Sequence, residues 1–110
     1  MNKVAVLKTK NYGECDVCIG KYSFDPDGIA VMLMQNGSQI AVLSICVIDI
    51  SDVKLEKGEF VAKIYSKNEQ IAKDASDSGL FIDTGKRVQT GLVESPIWKF
   101  ANVEVLNESY

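Results

Sequence analysis

Apolar and polar residues alternate along most of this chain, a pattern typical of short, half-buried β-strands. The pattern predicts strands at about residues 3–8, 17–24, 59–65, 80–82 and 87–93. After Pro96, which marks an edge or a strand start, Trp98 and Phe100 point to one side of a last strand. From Ala101 the apolar residues move from the even-numbered to the odd-numbered positions, which requires a bulge, a bend or a change of sheet.

The strongest local pattern is an apolar hairpin. Residues 29–35 and 38–47 flank the dipeptide Asn36-Gly37, which favours a two-residue type I′ turn. This turn predicts a register that places Leu33 opposite Ile40. Both faces of the hairpin are apolar, so both must be covered, by a helix and a second sheet layer or by a partner chain.

A single helix is predicted at about residues 66–78. Ser66-Lys67-Asn68-Glu69 matches a capping box, in which the serine and glutamate side chains satisfy backbone amides of the first turn. Ile71, Ala72 and Ala75 form a narrow apolar stripe, and Gly79 is placed for a left-handed C-terminal cap. Because the stripe is small, the helix depends on packing against the sheet.

Two further segments have the composition of turns. These are Asp25-Pro26-Asp27-Gly28 and Asp83-Thr84-Gly85-Lys86. Together the elements predict one domain over residues 1–110, of the α+β class. The expected architecture is a mainly antiparallel, twisted β-sheet of six to eight short strands with one α-helix packed on it. A chain of 110 residues with 46% hydrophobic residues is large enough to bury a core.

The charge pattern disfavours nucleic-acid binding and membrane insertion. Twelve basic residues stand against fifteen acidic ones, and Arg87 is the only arginine, so no arginine-rich basic face is expected. The N-terminus lacks the features of a signal peptide. The longest apolar stretch, Ile40 to Ile48, is far shorter than the ~20 residues of a membrane span. We therefore expect a cytoplasmic protein that binds neither membranes nor nucleic acids directly.

The residues available for catalysis are few. The chain contains no histidine, which removes the commonest general base and the usual serine or cysteine triads. Cys15-Asp16-Val17-Cys18 is a CxxC motif, and Cys15 and Cys18 are weak candidates for a metal or redox site. They enter a predicted strand, where residues three apart point to opposite faces. Ordinary thiols are the favoured interpretation, and we expect neither an enzyme nor a cofactor.

A family resemblance covers the chain from about Tyr22 to Phe100. It rests on the hairpin Ile29 to Val47, on Phe60-Val-Ala-Lys-Ile-Tyr-Ser-Lys-Asn-Glu69 and on Asp83-Thr-Gly-Lys-Arg-Val-Gln-Thr-Gly-Leu-Val-Glu-Ser-Pro-Ile-Trp-Lys-Phe100. In these segments the chain resembles small uncharacterised proteins carried by phages and conjugative elements. The CxxC segment lies outside the resemblance, and the family offers no catalytic residues to carry over.

The resemblance implies a protein that acts by occupying a host protein. The leading hypothesis is a counter-defence inhibitor, such as an anti-CRISPR protein that contacts a CRISPR effector nuclease in the host cytoplasm. The alternatives are an adaptor in replication or conjugation of a mobile element and a small metal or redox protein. A homodimer is a further alternative, because a second copy could cover the apolar hairpin. The candidate contact residues are Tyr12, Tyr65, Met32, Met34 and Trp98, although Trp98 also fits a core position.

Overall fold

The fold contains eight strands and one helix among the residues that the computed structural model describes, which are 2–22, 25–45, 55–56, 58–90 and 92–102. The strands are β1 (Asn2–Thr9), β2 (Gly13–Tyr22), β3 (Asp25–Gln35), β4 (Ser38–Val42), β5 (Ser44–Ile45), β6 (Glu59–Ala62), β7 (Phe81–Thr90) and β8 (Val93–Phe100). A 3-10 turn, Ser66–Asn68, leads into helix α1 (Glu69–Asp77). The predicted α+β class is confirmed.

The strands divide between two antiparallel sheets of four strands each. The first sheet has the order β1-β2-β3-β4, and the second has the order β5-β6-β8-β7. The second sheet supplies the layer that the apolar hairpin requires, because Val31 and Leu33 on β3 share one buried core with Phe60 and Trp98 of the second sheet. Burial on that side of the hairpin therefore comes from within the chain.

The chain passes from the first sheet to the second at Leu43. The Leu43 amide donates to the Val31 carbonyl at 2.8 Å, and the Leu43 carbonyl accepts from the Lys63 amide at 2.7 Å. The next residue, Ser44, accepts a hydrogen bond from the Val31 amide through its Oγ at 2.9 Å. These bonds fix the junction of the two sheets in a buried place, where an unsatisfied backbone group would be costly.

Four aromatic rings fill the core on the side of the second sheet. The Phe60 ring lies 5.6 Å from Phe81, 6.3 Å from Trp98 and 6.1 Å from Phe100, measured between ring centroids. The contacts with Phe81 and Trp98 are edge-to-face, an arrangement that aromatic quadrupoles favour. Phe60 is thus the centre of the cluster.

Helix α1 closes one side of the core by packing against β1 and β7. Its predicted stripe is confirmed, since Ile71, Ala72 and Ala75 are all buried. Gly79 follows the helix with φ of 81°, as the predicted left-handed cap requires.

The predicted capping box is wrong. Ser66 has φ of 61° and begins the 3-10 turn, while the residue at the N-cap of α1 is Asn68, which makes no side-chain cap. Asn68 is buried, and its Nδ2 donates to the carbonyls of Val42 at 2.7 Å and Lys63 at 3.1 Å. The side-chain donor is therefore used at the junction of the sheets.

The hairpin turn is confirmed, but its register is shifted beyond the second pair. Asn36 and Gly37 have φ of 51° and 81°, as a type I′ turn requires. Met34 pairs with Gln39, whereas Leu33 pairs with Ala41 and not with the predicted Ile40. One additional residue of β4 forms a bulge there, which a two-residue turn cannot reveal.

Both predicted four-residue turns are wrong and lie within strands. The pairing of β2 with β3 passes from Lys21–Ile29 to Tyr22–Asp25, so the first segment is a strand irregularity. The pairing of β7 with β8 passes from Asp83–Trp98 to Arg87–Pro96, so the second is a bulge. Turn-forming residues also fit bulges, which explains both errors. The predicted phase switch after Ala101 falls mostly on residues 103–105, outside the described residues.

Candidate protein-contact face

The first sheet presents an apolar outer face on the side away from the core. Residues of β2 and β3 alternate between the two sides. Two neighbouring cross-strand rows make up the outer face. The rows are Lys3, Cys18, Met32 and Val42, and Val6, Asp16, Met34 and Gln39. Here "outer face" denotes these eight residues.

Four of the five apolar side chains of the outer face remain partly accessible, whereas the fifth, Cys18, is buried at 8% exposure. Met32, Met34 and Val42 are half-buried, and Val6 is 42% exposed. An ion pair between Lys3 Nζ and Asp16 Oδ1, 3.1 Å long, lies across the same surface. Partly exposed apolar side chains grouped around one ion pair suit a surface that contacts another protein.

Tyr12 lies at the end of the first sheet, in the turn between β1 and β2. The Gln35 Nε2 donates to the backbone carbonyls of Tyr12 at 2.6 Å and Glu14 at 2.9 Å, which ties this turn to the end of β3. The Tyr12 amide donates to Thr9 Oγ1 at 3.0 Å. Tyr12 itself is 48% exposed, so a firmly held backbone presents an accessible aromatic ring.

The structure brings together three of the five predicted contact residues and separates the other two. Tyr12, Met32 and Met34 share the first sheet and its end. Tyr65 is half-buried in the segment between β6 and the 3-10 turn, with the Lys63 ammonium 5.8 Å from its ring centroid. Trp98 is 6% exposed and stacks on Phe81, so it is a core residue and is not part of a contact surface.

The two cysteines of the CxxC motif lie on opposite sides of β2. Cys15 belongs to the core cluster, whereas Cys18 is on the outer face. Burial, with a smaller contribution from Asp16, raises the pKa of the Cys18 thiol. A protonated thiol is a weak nucleophile and a weak metal ligand. Over the described ranges no three or more His, Cys, Asp and Glu side chains cluster in a way that could hold a metal ion.

The second sheet carries a largely buried carboxylate on its own outer side. Glu59 has a side chain only 5% exposed, and its Oε1 accepts from Lys86 Nζ at 2.7 Å and from the Glu56 amide at 2.9 Å. Lys86 is positioned by the bulge in β7. The ammonium group compensates the buried charge, so this pair fastens the bulge to β6.

A groove of about 630 Å³ adjoins the outer face. The sequence pattern did not predict it. It lies between the first sheet, at Val6, Lys8 and Glu14, and the C-terminal end of α1, at Asp74 and Asp77. Val6 belongs both to the groove and to the outer face. The two walls of the groove are about sixty residues apart in the sequence, so no local sequence pattern indicates the groove.

Comparisons of this chain with protein-family models, with curated proteins and with solved structures give no significant match. The placement of the residues described above is therefore the structural basis of the functional argument. No helix in the described ranges combines the length and the apolar character that a bilayer crossing needs.

Proposed function

We propose that this protein acts by binding another protein through the outer face of its first sheet, with Tyr12 as an aromatic anchor. The observation that carries the proposal is the pair of adjacent rows that hold the accessible side chains of Val6, Met32, Met34 and Val42 on a rigid sheet. Rigid elements hold their side chains in place before binding, which limits the entropy lost in a complex.

The chemistry of this surface suits a protein partner. Aromatic residues and methionine are enriched at protein interfaces, and the flexible thioether of methionine adapts to uneven apolar surfaces. The charged side chains of Lys3 and Asp16 are about half exposed and pair with each other, so the outer face need not bring an unpaired charge into a contact. Tyr12 offers a ring for apolar contact and a hydroxyl for a hydrogen bond.

The partner that we propose is a host defence protein, and the role that we propose is counter-defence inhibition, such as inhibition of a CRISPR effector nuclease in the cytoplasm. The support comes from the resemblance to small proteins of phages and conjugative elements. A net charge of −3 also favours approach to the basic surfaces of nucleic-acid enzymes.

A plasmid-targeting assay tests this proposal. Cells with an active CRISPR system are expected to retain a targeted plasmid when they express the wild-type protein, because the effector is occupied. The variant with Tyr12→Ala and Met34→Lys is expected to lose protection, since it removes the anchor and charges the outer face. A binding assay of the wild-type protein and the double variant with the purified effector shows whether the loss of protection reflects a loss of binding.

Two control variants introduce a charge on the second sheet instead of the first. Ile82 is 43% exposed and Leu92 is fully exposed, so Ile82→Lys and Leu92→Lys change apolar surface away from the outer face. Both are expected to protect as well as wild type. Failure of wild type to protect against several system types contradicts inhibition and favours the adaptor role. Full protection by the double variant contradicts the assignment of the outer face.

A further inference from the structure

The groove beside the outer face has the size and lining of a binding site. Its volume of about 630 Å³ falls within the range of about 300–1,000 Å³ typical of ligand sites. Val6 and the half-buried Leu80 contribute apolar surface, while Glu14, Asp74 and Asp77 contribute three carboxylates against the single ammonium of Lys8. The groove therefore combines apolar contact area with an excess of negative charge.

The carboxylates differ in how firmly they are held. Asp74 accepts hydrogen bonds from the Lys10 amide and from Gln70 Nε2, both at 3.0 Å, which fix its position in the wall. Glu14 and Asp77 form no ion pair with any other described residue. Two of the three charges are thus available to a ligand, and the third is held in place at the C-terminal end of the helix.

The end of α1 strengthens the negative potential. The C-terminus of a helix carries a partial negative charge, which basic residues normally offset. The last turn of α1 contains no basic residue and holds Asp74 and Asp77 in its place. This arrangement is unfavourable for the helix alone, and it becomes favourable when a cation lies in the groove.

We propose that the groove binds a lysine or arginine side chain, together with a neighbouring apolar residue, from a segment of the partner protein. The inference rests on the proposed function and adds the chemistry of the partner segment. Charge complementarity selects this occupant, because a second copy of a chain with net charge −3 would bring further negative charge. The apolar surface at Val6 and Leu80 favours a peptide segment over a bare cation.

Short peptides test the groove without knowledge of the partner. The probes are acetyl-Leu-Arg-Leu amide and acetyl-Leu-Lys-Leu amide, with acetyl-Leu-Glu-Leu amide as the reference. In nitrogen–proton NMR spectra of the isotope-labelled protein, the basic peptides are expected to shift the amide signals of Val6, Glu14 and Asp77. The acidic peptide is expected to leave these signals in place, and added salt should weaken the binding of the basic ones.

Charge-neutralising variants assign the effect to the groove. The double variant Glu14→Gln with Asp77→Asn is expected to weaken binding of the basic peptides about fivefold, as the loss of two partly exposed charge contacts implies. Glu94→Gln, on the exposed surface of β8, removes a charge elsewhere and should leave binding unchanged. Absence of shifts with the basic peptides, or equal binding of all three peptides, overturns the inference.

The two proposals fail separately. Peptide binding by a protein that gives no plasmid protection would contradict the proposed inhibition and support the groove. Plasmid protection by a protein whose groove does not bind the basic peptides would support inhibition and overturn the present inference.

Discussion

Asn68 occupies the position that would cap α1, but its amide group is used elsewhere. It donates to the carbonyls of Val42 and Lys63, which belong to the two segments that meet where the sheets join. The helix begins without a side-chain cap as a result. A polar residue at this position therefore stabilises tertiary structure at the expense of local helix stability.

Replacing Asn68 tests this role. Asn68→Ala is expected to lower the free energy of unfolding by about 1–3 kcal/mol, because two carbonyls in a buried region lose their donor. Asn68→Asp keeps the shape but removes both donors, so it should destabilise at least as much. If Asn68 acted as an ordinary cap, Asn68→Asp would be nearly neutral, because aspartate caps equally well. Urea denaturation measures both effects.

The pair of Asp83 and Arg87 predicts a pH dependence of stability. Arg87 donates to Asp83 at 2.8 and 3.0 Å, and this hydrogen bonding, helped by the Gly85 amide, lowers the pKa of Asp83. A lowered folded-state pKa contributes stability above the ordinary aspartate pKa, and the contribution disappears as the pH falls through the lowered value.

The variant Asp83→Asn should therefore be less stable than wild type at about pH 6, and the difference should close as the pH falls below about 4 and through the lowered pKa of Asp83. Urea midpoints of the two proteins across this range measure it. Because both side chains are well exposed, the difference should also shrink at high salt. A difference that stayed constant with pH would contradict the role of the carboxylate charge.

At the level of elements, strand positions could be predicted better than the connections between them. Period-two alternation placed Phe60 and Ala62 in the core and Cys15 and Cys18 on opposite faces, because burial of one face imposes that period. The segment Asp83 to Lys86 was mistaken for a turn because the same residues fit a bulge. Sheet membership could not be predicted, since strand pairing joins residues far apart in the chain.

The end of α1 predicts an unusual stabilising substitution. Asp77 lies in the last turn, where the helix dipole disfavours a negative charge, so Asp77→Asn is expected to raise the free energy of unfolding by about 0.3–1 kcal/mol. Glu69 is the matched control in the first turn, where the dipole favours a carboxylate. Glu69→Gln should lower stability by a similar amount, and urea denaturation at low salt measures both. A destabilised Asp77→Asn would contradict the electrostatic argument.

Across the whole molecule, one aromatic cluster links the second sheet to the core. Phe60→Ala is expected to cost about 3–5 kcal/mol, because it removes contacts with three other rings and leaves a cavity. That is a large share of the roughly 5–15 kcal/mol that stabilises a domain. Leu92→Ala, at a fully exposed residue, should change stability by less than about 0.5 kcal/mol. Thermal unfolding followed by Trp98 fluorescence compares the two.

The candidate site could be predicted only in part from the sequence. Met32 and Met34 stand out in the apolar hairpin, and Tyr12 in a polar turn, so residue type and local pattern suffice for them. The groove could not be found, because Glu14 and Asp77 come together only when α1 packs beside β1. Trp98 illustrates the opposite error, since an aromatic residue suits an interface and a core equally well until its neighbours are known.

The passage of the chain at Leu43 also bears on how the protein is made. All four strands of the first sheet precede Leu43, and the aromatic rings that cover their inner side follow it. The four strands of the first sheet therefore emerge from the ribosome first, and their apolar inner side stays exposed to solvent until the C-terminal half has been translated. We expect this intermediate to engage a holding chaperone such as a ribosome-bound factor, and ribosomes stalled far enough beyond residue 43 for the first sheet to have left the exit tunnel should retain it.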